Sequence, residues 1–278
     1  MKFWKMNGAG NDFIIINTIE ENIPAEKLSE ITKTVCHRHL SVGADGLMAV
    51  AKATDGGDYK MLFYNADGSL GEMCGNGARC ICRYGYENGL AGDVQRVETT
   101  AGLVTGYRID ERLYKVRLND PSVIKLHMPV TALGQEFDCA YIELGNPGLP
   151  HAVINLPGLR DKSFTELFNL GSALRYYKGF PKGANINFYD IDDKGIIEKT
   201  FERGVEDFTY ACGTGTGSTV LALKLLGKCD GNNTEVQMAG GRLYITVDMD
   251  GDTVKNLWLT GPTNIVAKGE ITDEELSL

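Results

Sequence analysis

Apolar and polar positions alternate, or apolar residues cluster as β-branched runs, in DFIIIN (12–17), GLMAV (46–50), KMLFY (60–64), VTGYRI (104–109) and YKVRL (114–118). Each of these stretches predicts a short strand. The second half of the chain repeats the flavour in HAVIN (151–155), NINFYDI (185–191), IIEKTFE (196–202), EVQM (235–238), RLYITV (242–247) and KNLWLTG (255–261). Two stretches break from this two-residue period: ARCICRYGYENG after Cys74 and STVLALKLLG after Cys212 have the spacing of helices. The pattern predicts an α+β protein with mostly antiparallel sheets.

A long-range internal repeat organises these elements. Cys74-Gly75-Asn76-Gly77 is matched by Cys212-Gly213-Thr214-Gly215, and eleven positions before each cysteine stands a phenylalanine, Phe63 and Phe201. Twenty-seven positions after each comes an Ala-Gly pair, Ala101-Gly102 and Ala239-Gly240, each within a strand-like segment. Upstream, Gly43-Ala44-Asp45 parallels Gly183-Ala184-Asn185. Four anchors in the same order predict two copies of one unit. A duplicated fold with one cysteine per copy is expected to bind its ligand in the cleft between the copies.

With 278 residues, each half is long enough to bury its own core. A net charge of -9 and the lack of a Lys/Arg-rich run exclude a nucleic-acid partner. No apolar stretch has the length of a membrane span, and MKFWKMNGAGND has no signal-peptide core, so no membrane contact and a cytoplasmic location are expected. The 7 cysteines are an odd number without scaffold spacing and are expected to be reduced. Cys74, Cys80 and Cys82 lie close together, yet neither a CxxC pairing nor a histidine at ligand spacing accompanies them, so no metal is expected.

The chemistry sits in the two CGxG turns. A cysteine at a helix N-terminus meets unpaired N–H groups and the positive end of the helix dipole, which favour thiolate over thiol and attract a carboxylate. Two such turns facing one another would hold an α-carboxylate with a sulfur on either face of the α-carbon. One sulfur would take the α-proton and the other return a proton from the opposite side, and repulsion between two thiolates would leave one proton on the pair. Taken singly, such a turn reads first as a buried structural cysteine; the symmetric pair reverses that reading. Among the other polar residues, His37 and His39 read as structural, His127 carries no signal, Met73 reads as core, and Asp45 and Asp67 read as turn formers.

In KMNGAGNDF (5–13), CHRHLSVGADG (36–46), YNADGS (64–69), EMCGNGARC (72–80), VETTAG (97–102), FERGVED (201–207) and ACGTGTGS (211–218), the sequence resembles the diaminopimelate epimerases, cofactor-independent enzymes, over essentially its whole length. The resemblance implies two pseudo-symmetric lobes, each a mainly antiparallel barrel-like sheet around a central helix. The expected lobes are 1–122, with 266–278 returning to it, and 123–265. The resemblance further implies that Cys74 and Cys212 are the acid/base pair, with His151 beside Cys74 and Glu202 beside Cys212. By the same likeness, amides of Gly75, Asn76, Gly213 and Thr214 would carry the reacting carboxylate. Asn11, Asn65, Asn185 and Arg203 would read the far end of a small amino-acid substrate. The family likeness also suggests a homodimer.

Two departures leave the substrate open. Where the family has Gly-Asn-Pro-His, this chain has Gly145-Asn146-Pro147-Gly148-Leu149-Pro150-His151, either inserting three residues or setting Leu149 where Asn binds substrate. Phe208-Thr209 stands in place of a Glu-Thr pair, which puts an aromatic near the distal site. Asn146, Leu149 and Phe208 therefore join the candidate site residues. Lanthionine or another amino acid such as histidine fits the same proton chemistry, a relative of the proline racemases is a further isomerase reading, and a redox or metal-binding protein is the non-enzymatic alternative.

Overall fold

A computed structural model describes residues 1–71, 74–272, 274 and 276; Met73 and the end of the expected 266–278 return lie outside the described residues. The chain forms two compact units, Met1–Val116 with Gly261–Leu278, and Arg117–Thr260. In the first, strands β1 (Lys2–Gly8) and β2 (Asn11–Asn17) lead through helices α1 (Thr18–Glu21) and α2 (Leu28–Val35) to β3 (Gly46–Ala51) and β4 (Tyr59–Asn65). Helix α3 (Gly75–Glu87) and strands β5 (Val94–Thr99), β6 (Gly102–Arg108) and β7 (Leu113–Leu118) follow.

The second unit opens with β8 (Pro121–Ala132), β9 (Gln135–Leu144) and β10 (Leu149–Asn155), then α4 (Phe164–Arg175), β11 (Asn185–Asp192), β12 (Gly195–Glu202) and the short β13 (Asp207–Thr209). Helix α5 (Gly213–Leu225), β14 (Thr234–Met238), β15 (Gly241–Asp250) and β16 (Thr253–Pro262) complete it, and β17 (Asn264–Glu270) pairs with β1 of the first unit. The two divisions fall within β7 and β16, where no change of composition marks them.

The pairings repeat in order. In the first unit β1–β2 is antiparallel, β2–β3 parallel, β3–β4 antiparallel, β4–β5 parallel across α3, and β5–β6 antiparallel. In the second, β9–β10 is antiparallel, β10–β11 parallel, β11–β12 antiparallel, β12–β14 parallel across α5, and β14–β15 antiparallel. Helix α3 touches β1 and β2 as well as β6, from opposite ends of that order, so the sheet curls around it; α5 has the same relation to β9, β10, β11 and β15. Both helices are buried nearly all round through their first three turns. The class is α+β, mostly sheet, as the alternation predicts.

Each unit has its own core. Ile14, Ile16, Leu47 and Ala49 of β2 and β3 pack under Leu28, Ile31 and Val35 of α2. Ile186, Phe188, Phe201 and Phe208 pack under Leu167 and Leu174 of α4. Each such fully buried side chain contributes roughly 1.5–3 kcal/mol. Ala101-Gly102 and Ala239-Gly240 correct one detail of the repeat: they form the β5–β6 and β14–β15 turns rather than strand interiors. Gly102 and Gly241, which open the following strands, have positive φ values of 105° and 138°, conformations that strand residues with side chains avoid.

Candidate active site

Cys74 and Cys212 occupy the same local structure. Each is extended (φ -119°, ψ 117° and φ -121°, ψ 105°) and caps the N-terminus of its helix. The Cys74 carbonyl accepts from Ala78 N–H at 2.7 Å and the Cys212 carbonyl from Thr216 N–H at 2.9 Å. The amides of Gly75, Asn76, Gly213 and Thr214 thus lie in first turns, where N–H groups have no intrahelical acceptor. The second glycine of each motif is a packing requirement: a Cβ on Gly77 would strike Met48 Cε, and one on Gly215 would strike Asn187 Oδ1.

Around Cys74 the network runs away from the helix. Asn76 Nδ2 donates to Asn11 Oδ1 at 2.6 Å, and Asn11 Nδ2 donates to Asp45 Oδ2 at 3.3 Å. Arg38 clamps Asp12 with two hydrogen bonds of 2.6 and 3.0 Å and reaches Asp45 Oδ1 at 2.6 Å, while Lys5 pairs with Asp12 at 2.7 Å. Burial pushes the Asp12 carboxyl up, but Arg38 and Lys5 outweigh it and hold it at about 2. Asp45 is therefore more than a turn former: it latches Asn11 to this ion cluster. Asp67 does hold its turn, accepting from Ser69 N–H and Oγ, and His37 Nδ1 accepts from the His39 and Leu40 amides. Asn65, exposed at the end of β4, donates to Ser69 Oγ at 3.0 Å.

Sequence reasoning missed Arg79. It is fully buried, its Nη1 reaches back to the Gly75 carbonyl at 3.4 Å, and its Nε and Nη2 have no hydrogen-bond partner among the described residues. Burial lowers its pKa to about 10, with Cys80 and Cys74 facing it and pulling the other way. A lone charge inside the apolar spacing of ARCIC was the available signal.

Around Cys212 the charges have the opposite sign. Its thiol is buried, 3.6 Å from Thr214 Oγ1, and is pushed well above the ordinary thiol value by burial and then by Glu202, against hydrogen bonds from Thr214 and the Gly215 amide. The expected lowering of this pKa by the helix N-terminus is thus corrected: desolvation outweighs the dipole. Glu202 accepts from Thr209 Oγ1. Glu198, also missed, is 1% exposed, and burial raises its carboxyl to about 7.

His151 and Asn185 are paired across β10 and β11. Asn185 Oδ1 accepts from Arg203 N–H at 2.8 Å and its Nδ2 donates to the Pro150 carbonyl at 3.2 Å; Arg203 Nη1 reaches the Lys182 carbonyl at 3.3 Å. His151 is fully buried, which lowers its pKa to about 3 and keeps it neutral. Asn146 is exposed on the β9–β10 turn and Leu149, half-buried, opens β10 opposite Leu144.

Phe208 is a correction. It stacks on Phe164 with ring centres 5.1 Å apart and meets Phe201 edge-on at 5.4 Å inside the core. Its register opposite Phe201 turns it inward, so it lines no polar site. Among the described residues no group of three or more His, Cys, Asp and Glu side chains is arranged to hold a metal, and no helix is long and apolar enough to cross a membrane. Cys80 and Cys82 are buried core thiols raised by burial to about 12.

The arrangement of strands and helices recurs in a hydroxyproline epimerase from Agrobacterium vitis, solved with trans-4-hydroxy-L-proline bound (TM-score 0.73, 16% identity, covering 99% of this chain and 93% of that one). It also recurs in a phenazine biosynthesis protein of the PhzF family from Bacillus anthracis (TM-score 0.73, 15% identity, 97% and 98% covered). At these identities the likeness is one of fold, that of the epimerases and their structural kin. The family model described as diaminopimelate epimerase matches residues 3–123 and 144–266, and the chain belongs to this family. The diaminopimelate epimerase of Aquifex aeolicus is 35% identical over 286 residues, covering 99% of both chains. That of Methanocella arvoryzae is 36% identical over 280 residues, covering 98% of this chain and 96% of its own. The chain is an isomerase, an amino-acid epimerase.

Proposed function

We propose that this epimerase converts LL-diaminopimelate to the meso isomer by proton transfer between Cys74 and Cys212, without metal or organic cofactor. The observation that carries the reading is the pair of matching CGxG turns set in opposite electrostatic surroundings, Arg79 behind one and Glu202 beside the other. The buried guanidinium favours a Cys74 thiolate; burial and the Glu202 carboxylate keep Cys212 a thiol.

The Cys74 thiolate takes the α-proton. The electron pair left on the α-carbon delocalises into the carboxylate, which rests on amides of Gly75, Asn76, Gly213 and Thr214. The Cys212 thiol returns a proton from the opposite face and ends as the thiolate, and exchange with solvent resets the pair. His151 assists at Cys74 and Glu202 at Cys212. Arg203, whose planar fork suits a distal carboxylate, works with Asn11, Asn65 and Asn185 at the far end of the substrate, together with Asn146 and Leu149 of the β9–β10 hairpin. A cytoplasmic homodimer acting on a small amino acid completes the reading.

Lanthionine, which carries the same distal amino-acid group, is the second substrate this chemistry serves. A ring-bearing substrate such as histidine loses its support with Phe208 in the core. The test is α-proton exchange in deuterated water followed by NMR, with reducing agent and no added cofactor, on LL-diaminopimelate, lanthionine and L-histidine. Exchange with inversion of diaminopimelate is expected, and Cys74→Ala or Cys212→Ala should lower it by at least about a thousandfold while leaving the fold intact. Undiminished turnover in either variant would remove the two-base mechanism.

A further inference from the structure

Behind His151 lies a buried chain of polar side chains that the proton-transfer scheme does not use. Asn187 is fully buried; its Nδ2 lies 3.2 Å from His151 Nδ1 and 3.4 Å from the Asn185 carbonyl, and its Oδ1 accepts from Thr200 Oγ1 at 3.1 Å. Thr200 Oγ1 is in turn 3.3 Å from Glu198 Oε1, which accepts from Thr219 Oγ1 at 3.1 Å. Gly215, where a Cβ would strike Asn187 Oδ1, lets this amide lie close against the first turn of α5.

The direction of the chain follows from hydrogen-bond chemistry. A carbonyl only accepts, so the Asn185 carbonyl requires the NH2 end of the Asn187 amide on its side, the side that also faces His151. Asn187 therefore donates to His151 Nδ1, and a neutral imidazole that accepts at Nδ1 carries its proton on Nε2. Thr200 has one proton and two neighbouring oxygens, Asn187 Oδ1 and Glu198 Oε1. Both contacts are satisfied when Glu198 is the protonated acid and donates to Thr200, which then donates to Asn187. Its burial, with Oε2 lacking a partner among the described residues, favours that neutral form.

We propose that Asn187, held by Thr200 and Glu198, is a positioning residue that fixes His151 in the Nε2–H tautomer, so that His151 meets the substrate or a sulfur as a hydrogen-bond donor and not as a base. Nε2 is buried without a partner among the described residues, a donor aimed at an acceptor that the free protein does not supply. The fitting acceptors are anionic: a carboxylate oxygen or a thiolate. This inference rests on the proposed function for the role of His151, while the tautomer itself is a property of the free protein.

The experiment is ¹⁵N NMR of histidine-labelled protein at neutral pH without substrate, with the His151 signals assigned by their loss in His151→Gln. The expected result is protonated Nε2 and unprotonated Nδ1. Asn187→Asp, which can only accept at this position, should move the proton to Nδ1 and lower kcat by about tenfold or more with a smaller change in KM. Thr200→Val should broaden or mix the tautomers and Thr200→Ser restore them. A wild-type His151 found as the Nδ1–H tautomer or as the imidazolium would overturn the inference, even if both variants failed to fold. So would an Nε2–H signal that persists in a folded Asn187→Asp protein. Neither spectrum depends on which amino acid is inverted, so failure here and failure of the proposed function are separate results.

Discussion

The turns at Cys74 and Cys212 have nearly the same backbone and very different surroundings. Five positions after Cys74 stands the buried Arg79, without an ion-pair partner among the described residues; five after Cys212 stands Gly217, where a Cβ would come within 2.7 Å of Leu118 Cδ1. Conversely, the thiol of Cys212 feels Glu202, while Cys74 and Cys80 are the groups that act on Arg79. The repeat thus conserves the shape of the turn and inverts the sign of the charge behind it. A symmetric fold thereby gives its two cysteines unlike surroundings, as the proposed proton transfer requires of them.

The largest break in this comparison comes from removing the cation. Arg79→Met should raise the apparent pKa of the Cys74 thiol by about one unit or more and lower kcat/KM near pH 7 about tenfold, with partial recovery at alkaline pH. Stability should hold or rise, because burying a charge is costly and Arg79 has no carboxylate partner among the described residues. An unchanged pH–rate profile in a folded variant would place the cation's role elsewhere.

A smaller effect sits on the acidic side. Glu198 has a folded pKa of about 7, above the ordinary carboxylate value, so the folded state binds its proton more tightly than the unfolded chain does. The stability this contributes is complete below the unfolded pKa and is lost as pH rises toward 7, on the order of 3 kcal/mol in all. Glu198→Gln should flatten that part of the stability curve measured by denaturant unfolding. A wild-type curve that rises between pH 5 and 7 and is unaltered by the substitution would contradict the neutral form of Glu198.

Much of this was legible in the chain. The cysteine turns, the paired phenylalanines and the strands around them follow from period and spacing, because those residues sit where sheet and helix geometry leave few choices. Strands β8 and β9 were less visible: β8 contains Pro121 and Pro129 and is largely exposed, so its alternation carries little apolar contrast. Helix α4 was signalled by the capping box of Ser163 and Glu166 and overlooked.

Phe208 misled because a substitution beside a motif reads as a change in the site, whereas strand register decides which way a side chain points. Arg79 and Glu198 were hidden for the opposite reason. Charged residues in a sequence read as surface, and only the fold puts Arg79 and Glu198 in the interior, the first behind Cys74 and the second behind Thr200 and Asn187.

The central claim is that the free enzyme holds one thiolate, at Cys74, and one thiol, at Cys212. Thiolate absorbance in the ultraviolet, followed against pH in wild type, Cys74→Ser and Cys212→Ser, tests it directly. Burial has raised Cys36, Cys80, Cys82 and Cys139 to about 12, which clears the neutral range of their signals. The account predicts a single ionisation near or below neutrality that vanishes in Cys74→Ser and survives in Cys212→Ser. An ionisation that persists without Cys74, or is lost with Cys212, would contradict it.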